Sequence, residues 1–226
     1  MMIPNPIEHC LIWGENHKAT GVFDTLSEEY IVKNSDRAGG AYKIHRDVLE
    51  DLLEEKGYPW KAQLTTWLID QREQGVEVPL ITEEIVAYID RQLPLPPHER
   101  AERLLRLLAK LGEDTVGRSI IVSEGIGPIN RYALAWTEST DWDDVAYFLN
   151  YLRDMGWTKG VEFDTDKDPK DYSHPDYVPA PEPYPDVFKG VVTVKGFAHI
   201  AERKANPDSS QAFVAMWFDE SMDEVY

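Results

Sequence analysis

Tyr151–Gly160, YLRDMGWTKG, followed after a long gap by Val191–Glu202, VVTVKGFAHIAE, is the pair of stretches on which the fold turns. Upstream of it, Thr140 or Asp141 caps a helix whose Val145, Phe148, Leu149 and Leu152 share one face, and Gly156 closes that helix. Trp157 then opens a short extended piece. Val191–Val194 is a strand of β-branched residues, and Gly196 introduces a short helix over 197–203. Between them, residues 161–190 hold six prolines, eight acids and three lysines, the composition of a solvated, polyproline-leaning loop.

Going back toward the N-terminus, Ser119–Val122 is a strand candidate, Gly125–Pro128 a turn and Arg131–Trp136 a second short run. Before these, residues 45–112 predict a helical bundle. Val48, Leu49, Leu52 and Leu53 form one apolar stripe, stopped by Gly57 and Pro59. A second helix covers 60–74, with Leu64, Trp67, Leu68 and Gln71 on one face and Trp60 and Trp67 in the core. Thr82 caps a third carrying Ile85, Val86 and Ile89, with Glu83 and Glu84 where the helix dipole favours negative charge. Pro94, Pro96 and Pro97 separate it from a fourth over 98–110, ended by Gly112. Its Glu99, Glu102, Arg100, Arg103 and Arg106 sit at i,i+3 and i,i+4 spacing and predict a solvated face. Residues 1–44 read as an irregular, partly extended entry segment.

The chain has 226 residues, 23 Lys and Arg, 41 Asp and Glu, and a formal charge of −18. That balance argues against electrostatic capture of nucleic acid or of an anionic membrane. No 18-residue apolar run is present, the N-terminus lacks a basic, then apolar leader, and a lone Cys10 forms no internal disulfide. A cytoplasmic location is expected. His9, Cys10 and His17, with only the generic Glu8 and Glu15 nearby, fall short of a zinc ligand set, so no metal is expected. No nucleophile elbow, phosphate loop, dinucleotide fingerprint or zincin helix occurs; no catalytic residue and no cofactor are assigned. One turn stands out, Ser35–Gly40. Arg37, Gly39 and Gly40 could cradle an anion with exposed N–H groups and a guanidinium, or build a structural turn in which Arg37 pairs an acid.

The order helix, Gly, aromatic strand, long loop, strand, Gly, short helix resembles that of winged-helix domains, over residues 113–206. Their groove-reading helix usually offers Arg, Lys, Asn or Gln; here the helix offers Asp141, Asp143, Asp144, Asn150, Arg153 and Asp154. That points to packing against protein. The fold class expected is mainly α with a small β content (α+β): a bundle, a winged-helix-like unit, and a strand of an incomplete α/β domain.

That last strand is Gln211–Phe218, an apolar run without alternation, as in sheets buried on both faces. With Asp219–Tyr226, which reads as a helix start, it resembles the first strand and helix of the nucleoside 2-deoxyribosyltransferase-like superfamily and its TIR-like relatives. Phe213, Val214, Ala215, Met216, Phe218 and Tyr226 carry the match, and Trp217 stands where Pro is common. The segments CLIWG, SDRAGGAY and LTTWLIDQREQG look like those preceding this strand in larger uncharacterised bacterial proteins. The resemblance implies that residues 207–226 begin a domain cut short, with Met216, Trp217 and Phe218 near a nucleoside or nucleotide. It further implies a sensor or oligomerisation region of a bacterial effector, in a defence role, whose further domain acts on nucleoside or NAD-type N-glycosidic bonds. The other reading is a stand-alone acidic interaction module or winged-helix regulator without catalysis. Either way a protein partner or self-association is expected.

Overall fold

Asp24 turns the chain at the first long hairpin: its carboxylate accepts from the Leu26 amide at 3.0 Å and from the Ser27 hydroxyl at 3.1 Å. Those bonds hold the Asp24 carboxyl below its usual range, the Leu26 N–H foremost. The computed structural model describes residues 6–49, 56–123, 128–160 and 187–205.

The segment 1–44, expected as an irregular, partly extended entry, instead forms, with His45, four antiparallel strands over its described residues: β1 Ile7–Cys10, β2 Gly14–Asp24, β3 Glu29–Ser35 and β4 Tyr42–His45. A two-residue strand, β5 Leu80–Ile81, joins β4 in parallel, giving the order β1-β2-β3-β4-β5. Tyr30, Val32, Tyr42 and Ile44 face inward at alternate positions, the periodicity a half-covered sheet requires. That alternation is hard to see in the sequence because register shifts interrupt it, between Thr20 and Gly21 and on both sides of His9.

The helices of 45–112 do not pack as one separate bundle. After α1 Arg46–Val48, α2 Tyr58–Glu73 and α3 Glu83–Ile89 cover the sheet, burying Ala62, Leu64, Leu68, Val86 and Ile89 with its inner face. The apolar stripe read at 48–53 continues past Leu49 outside the described residues. The fourth helix, α4 Pro97–Leu111, belongs to a second core. It buries Leu104, Leu105 and Leu108 completely, each contributing about 2 kcal/mol. Its neighbours are α5 Pro128–Trp136, α6 Trp142–Asp154 and α7 Val194–Ala205. Residues 131–136, read as a short run, are thus the second half of helix α5.

Three short strands complete this second core: β6 Ile120–Ser123, β7 Thr158–Lys159 and β8 Val187–Val192, antiparallel in the order β6-β8-β7. Residues 187–190, expected in the loop, are therefore strand; 161–186 lie outside the described residues, as do 206–226. Among the described residues the architecture is mixed α and β, with seven helices and two sheets, and no helix is long and apolar enough to cross a membrane.

α2 is where the cores meet. Ile69 faces the second core while Leu64 and Leu68 face the first, and the Thr66 hydroxyl donates to the Ala135 carbonyl of α5 at 2.8 Å.

Candidate functional site

The turn between α5 and α6, residues 137–141, starts where α5 runs out and Asp141 caps α6 by accepting from the Asp144 amide at 3.2 Å. Glu138 in its middle has φ 50°, a left-handed backbone that a non-glycine residue adopts only under outside constraint. The constraint is visible. Carbonyls at the end of a helix and in a turn need donors, and arginines supply them from three directions.

Arg100 of α4 donates from Nε to the Thr137 carbonyl at 2.6 Å and from Nη2 to the Glu138 carbonyl, the Ser139 hydroxyl and the Asp144 carboxylate at 3.0–3.1 Å. Arg103, only 5% exposed, donates from Nε to the Trp136 carbonyl at 2.6 Å and from Nη2 to Asp70 of α2 at 2.6 Å. From the N-terminal sheet, Arg37 donates from Nη2 to the carbonyls of Ser139 at 2.7 Å and Thr140 at 3.4 Å. The expected solvated face of α4 is therefore corrected at Arg100 and Arg103. Their aliphatic stems reach inward and their guanidiniums satisfy backbone acceptors that would otherwise be buried unpaired.

Arg37 is 1% exposed and lies with its guanidinium carbon 3.6 Å from the centroid of the Trp13 ring. Trp13 in turn stacks on Tyr58 and donates its indole N–H to the Thr65 hydroxyl at 2.9 Å. The Ser35–Gly40 turn thus joins β3 to β4 and aims Arg37 at carbonyls and an indole. The two glycine amides are used inside the turn, Gly39 on the Asp36 carbonyl at 3.1 Å and Gly40 on the Ser35 carbonyl at 2.8 Å. Gly39 (φ +70°) and Gly40 (φ +132°) adopt backbone conformations that favour glycine, and a β-carbon on Gly39 would meet the Ile69 side chain inside van der Waals distance, one on Gly40 the Arg72 guanidinium at 3.2 Å. Arg72 bridges the turn, donating to the carbonyls of Ala38 at 3.2 Å and Ala41 at 2.5 Å. Burial pulls its guanidinium down to about 10, so it stays charged at neutral pH. Arg37, Gly39 and Gly40 are brought together, as elements of a joint between the two cores.

Burial also raises the carboxyl of Glu138 above its usual value, against the Leu95 amide it accepts from at 3.0 Å and the nearby Arg100. Cys10 is buried, its Sγ 3.5 Å from the Tyr42 hydroxyl, which is itself held well above its ordinary value by burial. Among the described residues no group of three His, Cys, Asp or Glu could hold a metal ion. Met216, Trp217 and Phe218 lie outside the described residues.

The exposed stripe of α6 is the other prominent surface. Asp143, Tyr147, Asn150 and Asp154 follow one another at helical spacing, and Tyr147 is 59% exposed. Arg153, beside them, pairs with Asp154 at 3.3 Å. Sequence reasoning missed the joint because nothing local marks an arginine that will meet a carbonyl some hundred residues away. The α6 helix was legible in the sequence, and Asp143, Asn150 and Asp154 were read on it, but Tyr147 was not; Asp141 caps the helix and Asp144 pairs with Arg100.

No family model matches this chain, and no curated protein and no solved structure matches it either.

Proposed function

We propose that this chain is a regulatory, protein-binding region: a winged-helix-like unit built from α4 to α7, locked to an N-terminal sheet unit and docking protein through α6. The sequence order helix, strand, helix, turn, helix, strand, long connection, strand, helix and the sheet order β6-β8-β7 support the winged-helix-like reading. In helix-turn-helix modules the second helix is the one that reads the groove, and α6 occupies that place after α5.

The observation that carries the protein-binding reading is the charge on that helix. Asp143 and Asp154 would face phosphates, Arg153 is paired within the helix, and the whole chain carries −18. Duplex DNA offers one negative charge per ~1.7 Å of axis, so such a surface repels it. An exposed tyrosine on a helix face that also carries Asp143 and Asp154 instead suits a partner protein with an apolar pocket and a basic rim. The clamp on residues 137–141 fixes where α6 points relative to the sheet unit, which is what a relay or an assembly surface needs.

The effector form of this reading adds a domain acting on an N-glycosidic bond, on the resemblance of residues 211–226. Under it, residues 1–226 incubated with NAD or nucleosides give no product.

Fluorescence anisotropy with labelled duplex DNA at low salt tests the docking reading. No saturable binding is expected. Affinity that falls steeply with rising salt would overturn it.

A further inference from the structure

Between the C-terminal turns of α2 and the middle of α4 lies a cleft of about 190 Å3, lined by Asp70, Glu73, Gln74, Arg103, Arg106 and Trp136. It is built rather than incidental. Arg103 is nearly fully buried, fixed at Nε by the Trp136 carbonyl and at Nη2 by Asp70 Oδ1. Lys110 donates to both Glu73 oxygens at 2.5 and 2.7 Å, and its ammonium lies 5.0 Å from the centroid of the Trp136 ring.

Those bonds leave a specific remainder. Arg106 has no side-chain hydrogen bond or ion pair among the described residues, and neither has the side-chain amide of Gln74. Asp70 engages one carboxylate oxygen only. One free guanidinium on α4 therefore faces one half-used carboxylate on α2. A polyanion entering here would meet Asp70 and Glu73; a polycation would meet Arg103 and Arg106. The arrangement complements a small molecule with one charge of each sign. A cleft of about 190 Å3 has room for a molecule the size of a compact amino acid.

We infer that this cleft binds a free α-amino acid, its carboxylate on Arg106 and its ammonium on the open oxygen of Asp70, against the Trp136 wall. Because α2 belongs to the sheet unit and α4 to the second core, a bound amino acid ties the two together beside the arginine clamp. This does not depend on what α6 docks.

The test is calorimetric titration and thermal unfolding of the 226-residue chain with a panel of free amino acids, each paired with its deaminated acid and its decarboxylated amine. Saturable binding and a rise in Tm are expected for at least one amino acid, with both truncated analogues at least about tenfold weaker, the loss for one charged contact. Arg106→Gln should weaken binding by about tenfold while leaving the unliganded Tm unchanged, since Arg106 is exposed and unbonded. Asp70→Asn, referenced to its own unliganded Tm, should lose the preference for the amino acid over its deaminated acid. No binding across the panel at millimolar concentration overturns the inference. So does binding that Arg106→Gln leaves intact, or binding in which an analogue equals its parent amino acid.

Discussion

Arg37 Nη2 lies 2.7 Å from the Ser139 carbonyl oxygen, joining the β3–β4 turn to the α5–α6 turn across 102 residues of sequence. The bond is charge-assisted, fully buried and backed by the Trp13 ring on the guanidinium. Removing the arginine would strand the buried carbonyls it serves.

Arg37→Met keeps much of the buried volume and removes every donor. The Ser139 carbonyl loses its charged partner in the interior, at a cost of about 3 kcal/mol. Urea unfolding should show the midpoint falling accordingly with the slope unchanged. A loss under about 1 kcal/mol would mean that the joint does not depend on this bond.

Asp141→Ala tests the start of α6. Its carboxylate accepts from the Asp144 amide, and losing such a cap typically costs about 1 kcal/mol. Asp144 also pairs with Arg100, so fraying there should loosen the 137–141 clamp. Hydrogen exchange at the amides of 143–145 should accelerate, and that of α4 should not.

Gly196→Ala probes the seat of α7. A β-carbon there would lie 2.5 Å from the backbone oxygen of Trp157, which has no freedom to move aside. Overpacking of this kind costs about 1–3 kcal/mol, and Trp157, stacked 3.9 Å from the His199 ring, should report it as altered near-ultraviolet dichroism. Gly57→Ala, whose β-carbon would meet Pro59 at an ordinary 3.8 Å, should leave the Trp157 signal unchanged, although alanine is a poorer N-cap for α2 than glycine.

Glu138 gives a pH dependence with a definite sign. Burial raises its folded-state value above the ordinary 4.5, so the folded chain holds that proton more tightly than the unfolded one. Its contribution is fully present below the unfolded value and is lost as pH rises through the raised folded value. Glu138→Gln keeps an acceptor for the Leu95 amide and cannot ionise. Relative to the parent it should gain stability on going from pH 4 to neutral pH. Denaturation series giving parallel profiles for the two proteins would refute this.

The helices were legible because their signals are local. Thr82, Asp141, Gly112 and Gly156 stand at observed helix ends, and the apolar spacing of 145–152 needs no knowledge of its partner. The N-terminal sheet was not. Its strands pair with partners 4 to 16 residues away in the hairpins and 37 away between β4 and β5, its alternation is broken by register shifts, and its β2–β3 hairpin turns on an aspartate side chain without the usual Asn-Gly signal. In the candidate joint, the Gly39–Gly40 turn was visible as a turn, since only glycine takes those φ values comfortably. What Arg37 does from it was not.

Composition and spacing by themselves determined the acidity of the chain and the acidic character of α6. Only the tertiary structure decided that α4 packs with α5 and α6 and that Arg37, Arg100 and Arg103 converge on one turn. An arginine at helical spacing presents the same pattern whether its guanidinium ends in water or on a buried carbonyl. The difference lies in which unpaired backbone oxygens folding brings within 3 Å of it, and that is a property of distant segments meeting.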